Sequence, residues 1–149
     1  MSRISIKGVL VGGIVDIVSS VVLGLPFALY TMLTLDLSNV PKDRVESTLT
    51  AAIHGNMPLY VGQLLVGLAC SALGGYVAAW IAKHDELLNG GLSAFLCAGL
   101  GIYTMASGKD SNPLWIQILM LVSSPTLALL GGDLMRRQRR SRGYSTLPN

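Results

Sequence analysis

Residues 8–35 read GVLVGGIVDIVSSVVLGLPFALYTMLTL, and this stretch decides the fold. A helix needs about 20 mostly apolar residues to cross about 30 Å of hydrocarbon. The stretch exceeds that length and contains one charged side chain, Asp16. It is too long for the apolar region of a secretory signal, about 7–15 residues, and no A-x-A site follows it. It therefore reads as an uncleaved membrane span. Three further stretches have the same character: residues 57–82, 87–107 and 112–135. Their interiors are apolar or small nearly all round, whereas a helix of a water-soluble bundle carries one charged face. The ten-residue alternation of a membrane β-barrel is missing.

Composition agrees. Only 13% of the 149 residues are charged and 51% are hydrophobic, where an average soluble domain is about 25% charged. Mean hydropathy is +0.56. That apolar content excludes intrinsic disorder, and two cysteines, Cys70 and Cys97, are too few for a disulfide scaffold. The expected fold class is an all-α integral membrane protein, with four transmembrane helices in a compact bundle.

The basic residues orient the chain. Arg3, Lys7, Lys83, Arg136, Arg137, Arg139, Arg140 and Arg142 fall on one side of the four spans, and Lys42, Arg44 and Lys109 on the other. The positive-inside rule then places both termini in the cytoplasm, N-in and C-in, and the expected location is a bacterial inner (plasma) membrane. Residues 36–56 form the outer loop. Pro41 suits a first helical turn, and Val45, Leu49 and Ile53 recur every four residues after it. That spacing predicts either a short amphipathic helix on the outer membrane surface or a connecting loop with a helical turn. Residues 136–149 form a basic cytoplasmic tail, in which Arg136, Arg137, Arg139, Arg140 and Arg142 set topology and meet anionic headgroups, each contributing about 1 kcal/mol. Nucleic acid is not an expected partner. Trp80, Trp115, Tyr30, Tyr60 and Tyr103 fall near the span boundaries, as an aromatic belt does.

Small and polar residues recur at four-residue spacing. Gly8, Gly12, Asp16, Ser20, Gly24 and Ala28 form one row, and Gln63, Gly67, Ser71, Gly75 and Ala79 a second. The third span carries Asn89, Ser93, Cys97 and Gly101 beside Gly90, Ala94 and Ala98, and the fourth carries Ser124, Ala128 and Gly132. Lipid tails are as apolar as Leu, so helices in a bilayer associate by close backbone approach, which small residues permit. A strict four-residue row drifts about 40° per step against the 3.6-residue period. Only about three consecutive members face one partner. Packing within the chain is the expected use of these rows, and a solute path lined by small residues is the alternative. Pro26 and Pro125 each remove one helical hydrogen bond and bend their helices. Ser123, Ser124 and Thr126 flank the second and are placed to satisfy freed carbonyls.

Asp16 is the residue most in need of a cause. It lies 8 residues after Gly8, about 12 Å into the bilayer. An Asp at a helix centre costs about 2.5–3.5 kcal/mol on insertion scales, and no Lys or Arg lies at similar depth. Three roles stand: a neutral carboxyl bonded to a neighbouring helix, a proton or cation relay, or a contact for a membrane partner. Gln63 and Gln117, placed just inside the outer boundary, are candidates for bonds across helices. Asp133 pairs in expectation with Arg136 or Arg137 one turn on. Asn89 marks the inner turn with Lys83, His84, Asp85 and Glu86.

The chain carries no Cys/His cluster of metal-ligand spacing, no nucleophile–base set, and no phosphate or dinucleotide loop. An enzyme is not expected, nor a metal or cofactor. The leading expectation is an accessory or assembly protein acting through helix–helix contacts with itself or another membrane protein. The first alternative is an oligomeric small transporter or channel subunit using Asp16 for proton or cation handling, where four helices alone leave little room for a path. The second is a membrane-resident protective protein of the immunity type, acting through the outer loop.

Overall fold

A computed structural model of the protein describes residues 4–36, 40–108 and 112–144, with side chains described as far as residue 141. Arg3 and Lys109, used above for orientation, lie outside the described residues, as does the Arg142 side chain. The fold is all helical. Helices α1 (Ile6–Thr34), α3 (Met57–Ala82), α4 (Glu86–Ala106) and α5 (Leu114–Tyr144) are long, and α2 (Val45–Gly55) is short. The four long helices are long and apolar enough to cross a membrane.

Local chemistry sets the helix ends. Ser5 caps α1, its Oγ accepting from the Gly8 amide at 3.2 Å. Asn56 caps α3, its Oδ1 accepting from the Leu59 amide at 3.4 Å, with Pro58 in the first turn, where its missing N–H costs nothing. The α3–α4 turn needs two left-handed residues, Lys83 at φ 60° and Asp85 at φ 42°. Between α1 and α3, a 3₁₀ turn at Lys42–Arg44 leads into α2, so the amphipathic spacing after Pro41 does become a helix. Helix α5 runs on through the arginines to Tyr144. The basic segment after Met135 is thus helical, where the sequence suggested a tail. Its arginines are partly engaged: Arg139 donates to Glu86 Oε1 at 2.7 Å and to the Trp80 carbonyl at 3.1 Å.

The interior is built from small side chains. Ala78, Ala79, Ala94 and Ala128 are fully enclosed, whereas Leu33, Phe95, Trp115 and Ile6 point outward. A bundle folded in water does the reverse. Helix α3 is central, packing against α1, α4 and α5. Helices α1 and α5 lie across the diagonal and do not touch among the described residues.

The bundle is tight at one end and open at the other. Towards the chain termini, backbones meet directly. A methyl group on Gly12 would lie 2.6 Å from the Gly74 carbonyl, and one on Gly8 2.8 Å from that of Ala78. On the other side of α3, a methyl group on Gly75 would run into the Ala128 carbonyl. Gly90 completes this junction of α3, α4 and α5: a methyl group there would lie 3.0 Å from the same oxygen. Towards the loop end the rows open. A methyl group on Gly24 or Gly99 would meet nothing within 4 Å, and one on Gly67 only the tip of Met120 at 3.7 Å. The row from Gly8 onward therefore contacts α3 over its first three members and then turns away.

The turn at the tight end is held by Asn89, which is completely buried. Its Oδ1 accepts from the Ser5 amide at 2.7 Å, and its Nδ2 donates to the carbonyls of His84 and Asp85 at 3.0 and 3.1 Å. One side chain so fastens the start of α1 to the α3–α4 turn.

Candidate functional site: a cavity ending on Asp16

Asp16 lies where the tight half meets the open half, and it is 4% exposed. Helix α1 carries it next to Gly12, and a methyl group on Gly74 of α3 would lie 2.7 Å from the Asp16 Cβ. The absence of a side chain at Gly74 gives the carboxyl its place. Oδ2 accepts from the Cys97 thiol of α4 at 3.0 Å. Oδ1 accepts from the Ser71 hydroxyl of α3 at 3.5 Å. Ser71 in turn lies 2.9 Å from the Ser124 hydroxyl of α5. A hydroxyl has one proton to give. With the Ser71 proton directed at Asp16, Ser124 is the donor to Ser71. One chain of polar atoms thus joins all four long helices at a single level.

Both donors to the carboxyl are poor. A thiol is a weak donor, and 3.5 Å is beyond the usual O–H···O range of about 2.5–3.0 Å. Among the described residues the ion pairs are Arg137–Asp133, at 2.6 Å, and Arg139–Glu86, both near the tight end. No cationic side chain reaches Asp16.

A cavity of about 360 Å³ extends from this level towards the loop end. Asp16, Ser71, Cys97 and Ser124 form its floor, and Ile17, Val21, Leu100, Ile116, Met120 and Leu121 supply apolar wall. At the loop end it reaches Met105 and Asn112. A second cavity of about 330 Å³ adjoins it and shares Ser20, Gly67, Asn112 and Met120. The second one lies beneath α2, with Thr50, Ile53 and His54 on one side and Tyr60 and Gln63 on another. The Tyr60 hydroxyl donates to Asn112 Oδ1 at 2.9 Å, and the Tyr60 ring meets His54 edge-on at 4.8 Å. A single chain thus holds two adjoining hollows that lead from the loop end to Asp16.

The remaining polar residues of the sequence reading distribute unequally. Ser20 lines both cavities. Gln63 is exposed at the rim of the second and makes no cross-helix bond. Gln117 lines the first, and its Nε2 donates to the Asn112 carbonyl at 2.6 Å, within its own helix start. Its Oε1 is buried without a hydrogen-bond partner. Asp133 is remote and pairs with Arg137. Asn89 fastens the tight end. Gly67, Gly101 and Ala98 line the cavity, whereas Gly8, Gly12, Gly75, Gly90, Ala79 and Ala94 lie in the tight half. Ser123 and Thr126 donate to the carbonyls of Leu119 and Val122, while Ser124 reaches across to Ser71.

Three members of the site are not read as such from the sequence: Ser71 and Cys97 read as small packing residues, and Ser124 as a helper of Pro125. Depth arithmetic finds Cys97: Asp16 lies 10 residues from the start of α1, Ser71 lies 11 from the end of α3, and Cys97 lies 11 from the start of α4. At 1.5 Å per residue all three fall about 16 Å from the tight end. Comparison with protein-family models, with curated proteins and with solved structures gives no match.

Proposed function

We propose that the protein is an integral membrane protein of a bacterial inner membrane with both termini cytoplasmic, and that it takes up a proton or small cation at Asp16 from the outer side. In this reading it is a transporter or channel subunit. One observation carries it: a buried carboxyl with no cationic partner among the described residues lines a hollow that extends to the loop end. The basic residues at the opposite end support the orientation. The small-residue contacts serve as the packing device of the bundle.

The geometry suggests how the site works. An arriving cation meets a carboxyl held only by a thiol and a distant hydroxyl, so exchange of those donors for a charge-assisted bond is favourable. Beyond Asp16 the Gly12–Gly74 and Gly75–Ala128 contacts bar the way. The described state is thus loaded from one side, and release to the other requires those backbones to part. Flux of protons or monovalent cations into proteoliposomes tests the reading. The wild type is expected to conduct and Asp16→Asn to lose flux while keeping its helical circular dichroism. No flux in the wild type, or full flux in Asp16→Asn, would overturn it.

An accessory role through helix contacts is the second reading. It draws on Gly99, which is exposed with nothing within 4 Å of its missing side chain, close to exposed Phe95 and Ile102. Gly99→Leu should then weaken co-purification with itself or a partner, and unchanged co-purification counts against it.

A further inference from the structure

We infer that the solute of this site is an organic amine with an apolar body, protonated at neutral pH, that enters from the loop end. The inference rests on the cation reading of Asp16 and narrows it. Three features of the hollow point to this class.

The first is the wall. Between Asp16 and the loop end the surface is mainly Ile17, Val21, Leu100, Ile116, Met120 and Leu121. A bare inorganic cation gains nothing from such a wall. An apolar body gains by leaving water in proportion to the area it buries. The volume, about 360 Å³, lies within the range of small-molecule sites.

The second is the floor. Hard cations require six or more oxygen ligands or retained waters. Here the oxygens are those of one carboxyl and two hydroxyls, and the hydroxyls are already engaged with each other and with Asp16. An ammonium has a lower demand. It carries up to three N–H donors and is satisfied by a carboxyl and one or two neutral acceptors. Its bonds to a carboxylate, at about 2.7–2.9 Å, are shorter and stronger than the thiol and hydroxyl bonds they would replace.

The third is Gln117. Gln117 lines the cavity, while its Oε1 is shut off from the open space and has no hydrogen-bond partner. It lies seven residues before Ser124, two helical turns or about 10.5 Å towards the loop end. Turned into the cavity, that oxygen becomes a second acceptor at a distance from the floor that suits a molecule of one ring or a short chain, longer than a simple alkylammonium and with a donor at its far end.

Titration calorimetry in lipid nanodiscs tests the inference, with empty discs subtracted for partitioning. The probes are phenethylamine, methylamine (the charge without the body), 2-phenylethanol (the body without the charge) and tyramine (a donor added at the far end). Phenethylamine is expected to bind one per chain and at least tenfold more tightly than methylamine or 2-phenylethanol. Asp16→Asn is expected to lose at least tenfold in phenethylamine affinity. Gly101→Trp, which fills the cavity and leaves Asp16 in place, is expected to lose as much. Tyramine should bind more tightly than phenethylamine to the wild type and equally to Gln117→Leu. Equal binding of methylamine and phenethylamine, or no phenethylamine binding in a protein that still passes protons through Asp16, overturns the amine inference and leaves the cation reading standing. Phenethylamine binding undiminished in Asp16→Asn overturns it as well. Loss of proton and cation flux dependence on Asp16 removes both.

Discussion

Replacing Gly75 by alanine is the sharpest test of how the tight half is built. The added methyl would sit against the Ala128 carbonyl, 2.6 Å from both its carbon and the Ala128 Cα. Carbon atoms pack best at about 3.5–4.0 Å, so α3 and α5 must part by about 1 Å. A gap of about that size forfeits a quarter to a half of the dispersion energy along the seam. The obstacle is backbone and has no rotamer to give. Overpacking of this kind costs about 1–3 kcal/mol, and the upper part of that range applies because α4 leaves no slack on that side, a methyl group on Gly90 lying 3.0 Å from the same oxygen. Against this, Gly→Ala inside a helix gains about 0.5–1 kcal/mol. The net expectation is a loss of about 1–2 kcal/mol. Gly67→Ala is the matched control on the same helix. Its methyl meets only the Met120 tip at 3.7 Å, so it should gain about 0.5–1 kcal/mol. Unfolding by SDS in mixed micelles, followed by helical circular dichroism, measures both. If Gly75→Ala proves as stable as Gly67→Ala, the seam is not held by backbone contact and the reasoning fails.

Asn89→Ala should cost about 1–3 kcal/mol in the same titration, because it removes the partner of the part-buried Ser5 amide and of the His84 carbonyl; an unchanged midpoint would show that the turn holds itself. Lys83→Gly should stabilise by up to about 1 kcal/mol, since a side chain at φ 60° is strained, and a lower midpoint would refute this. Arg139→Ala should cost no more than about 1 kcal/mol, yet raise amide hydrogen exchange over residues 136–144; unchanged exchange would mean that the Glu86 and Trp80 contacts do not hold the end of α5.

The four long helices were legible because one physical requirement, apolar length, dominates each of them, and the end residues Ser5 and Asn56 announce their caps. The position of Asp16 was legible for the same reason: an acid is conspicuous in 28 residues of Val, Leu, Ile and Gly. Its partners were not, because Ser71, Cys97 and Ser124 are as suitable for packing as for hydrogen bonding. Only the register between helices distinguishes the two uses. The cavity was illegible for a related reason. Gly12 and Gly67 belong to the same kind of row, yet one is filled by a neighbouring backbone and the other faces open space. Which outcome applies depends on where the rows diverge, a property of pairs of helices and not of one. The helical run through the arginines was missed because charge density suggested a solvated tail, whereas Arg139 has a carboxylate and a carbonyl waiting on two other helices.

The contact from Ser5 to Asn89 spans 84 residues of sequence, and this has a consequence for biogenesis. The ribosome delivers α1 first, yet its fastening by Asn89 does not exist until α4 begins to emerge. On the membrane reading, Asp16 enters the bilayer before either Ser71 or Cys97 has been made. Its cost of about 2.5–3.5 kcal/mol falls wholly on the first helix, whose many Leu, Ile, Val and Phe residues, at about −0.3 to −0.6 kcal/mol each, outweigh it. The excess apolar length of residues 8–35 thus has a use that the finished bundle conceals. On that reading it lets a helix with an acid at its centre wait in lipid for partners not yet translated.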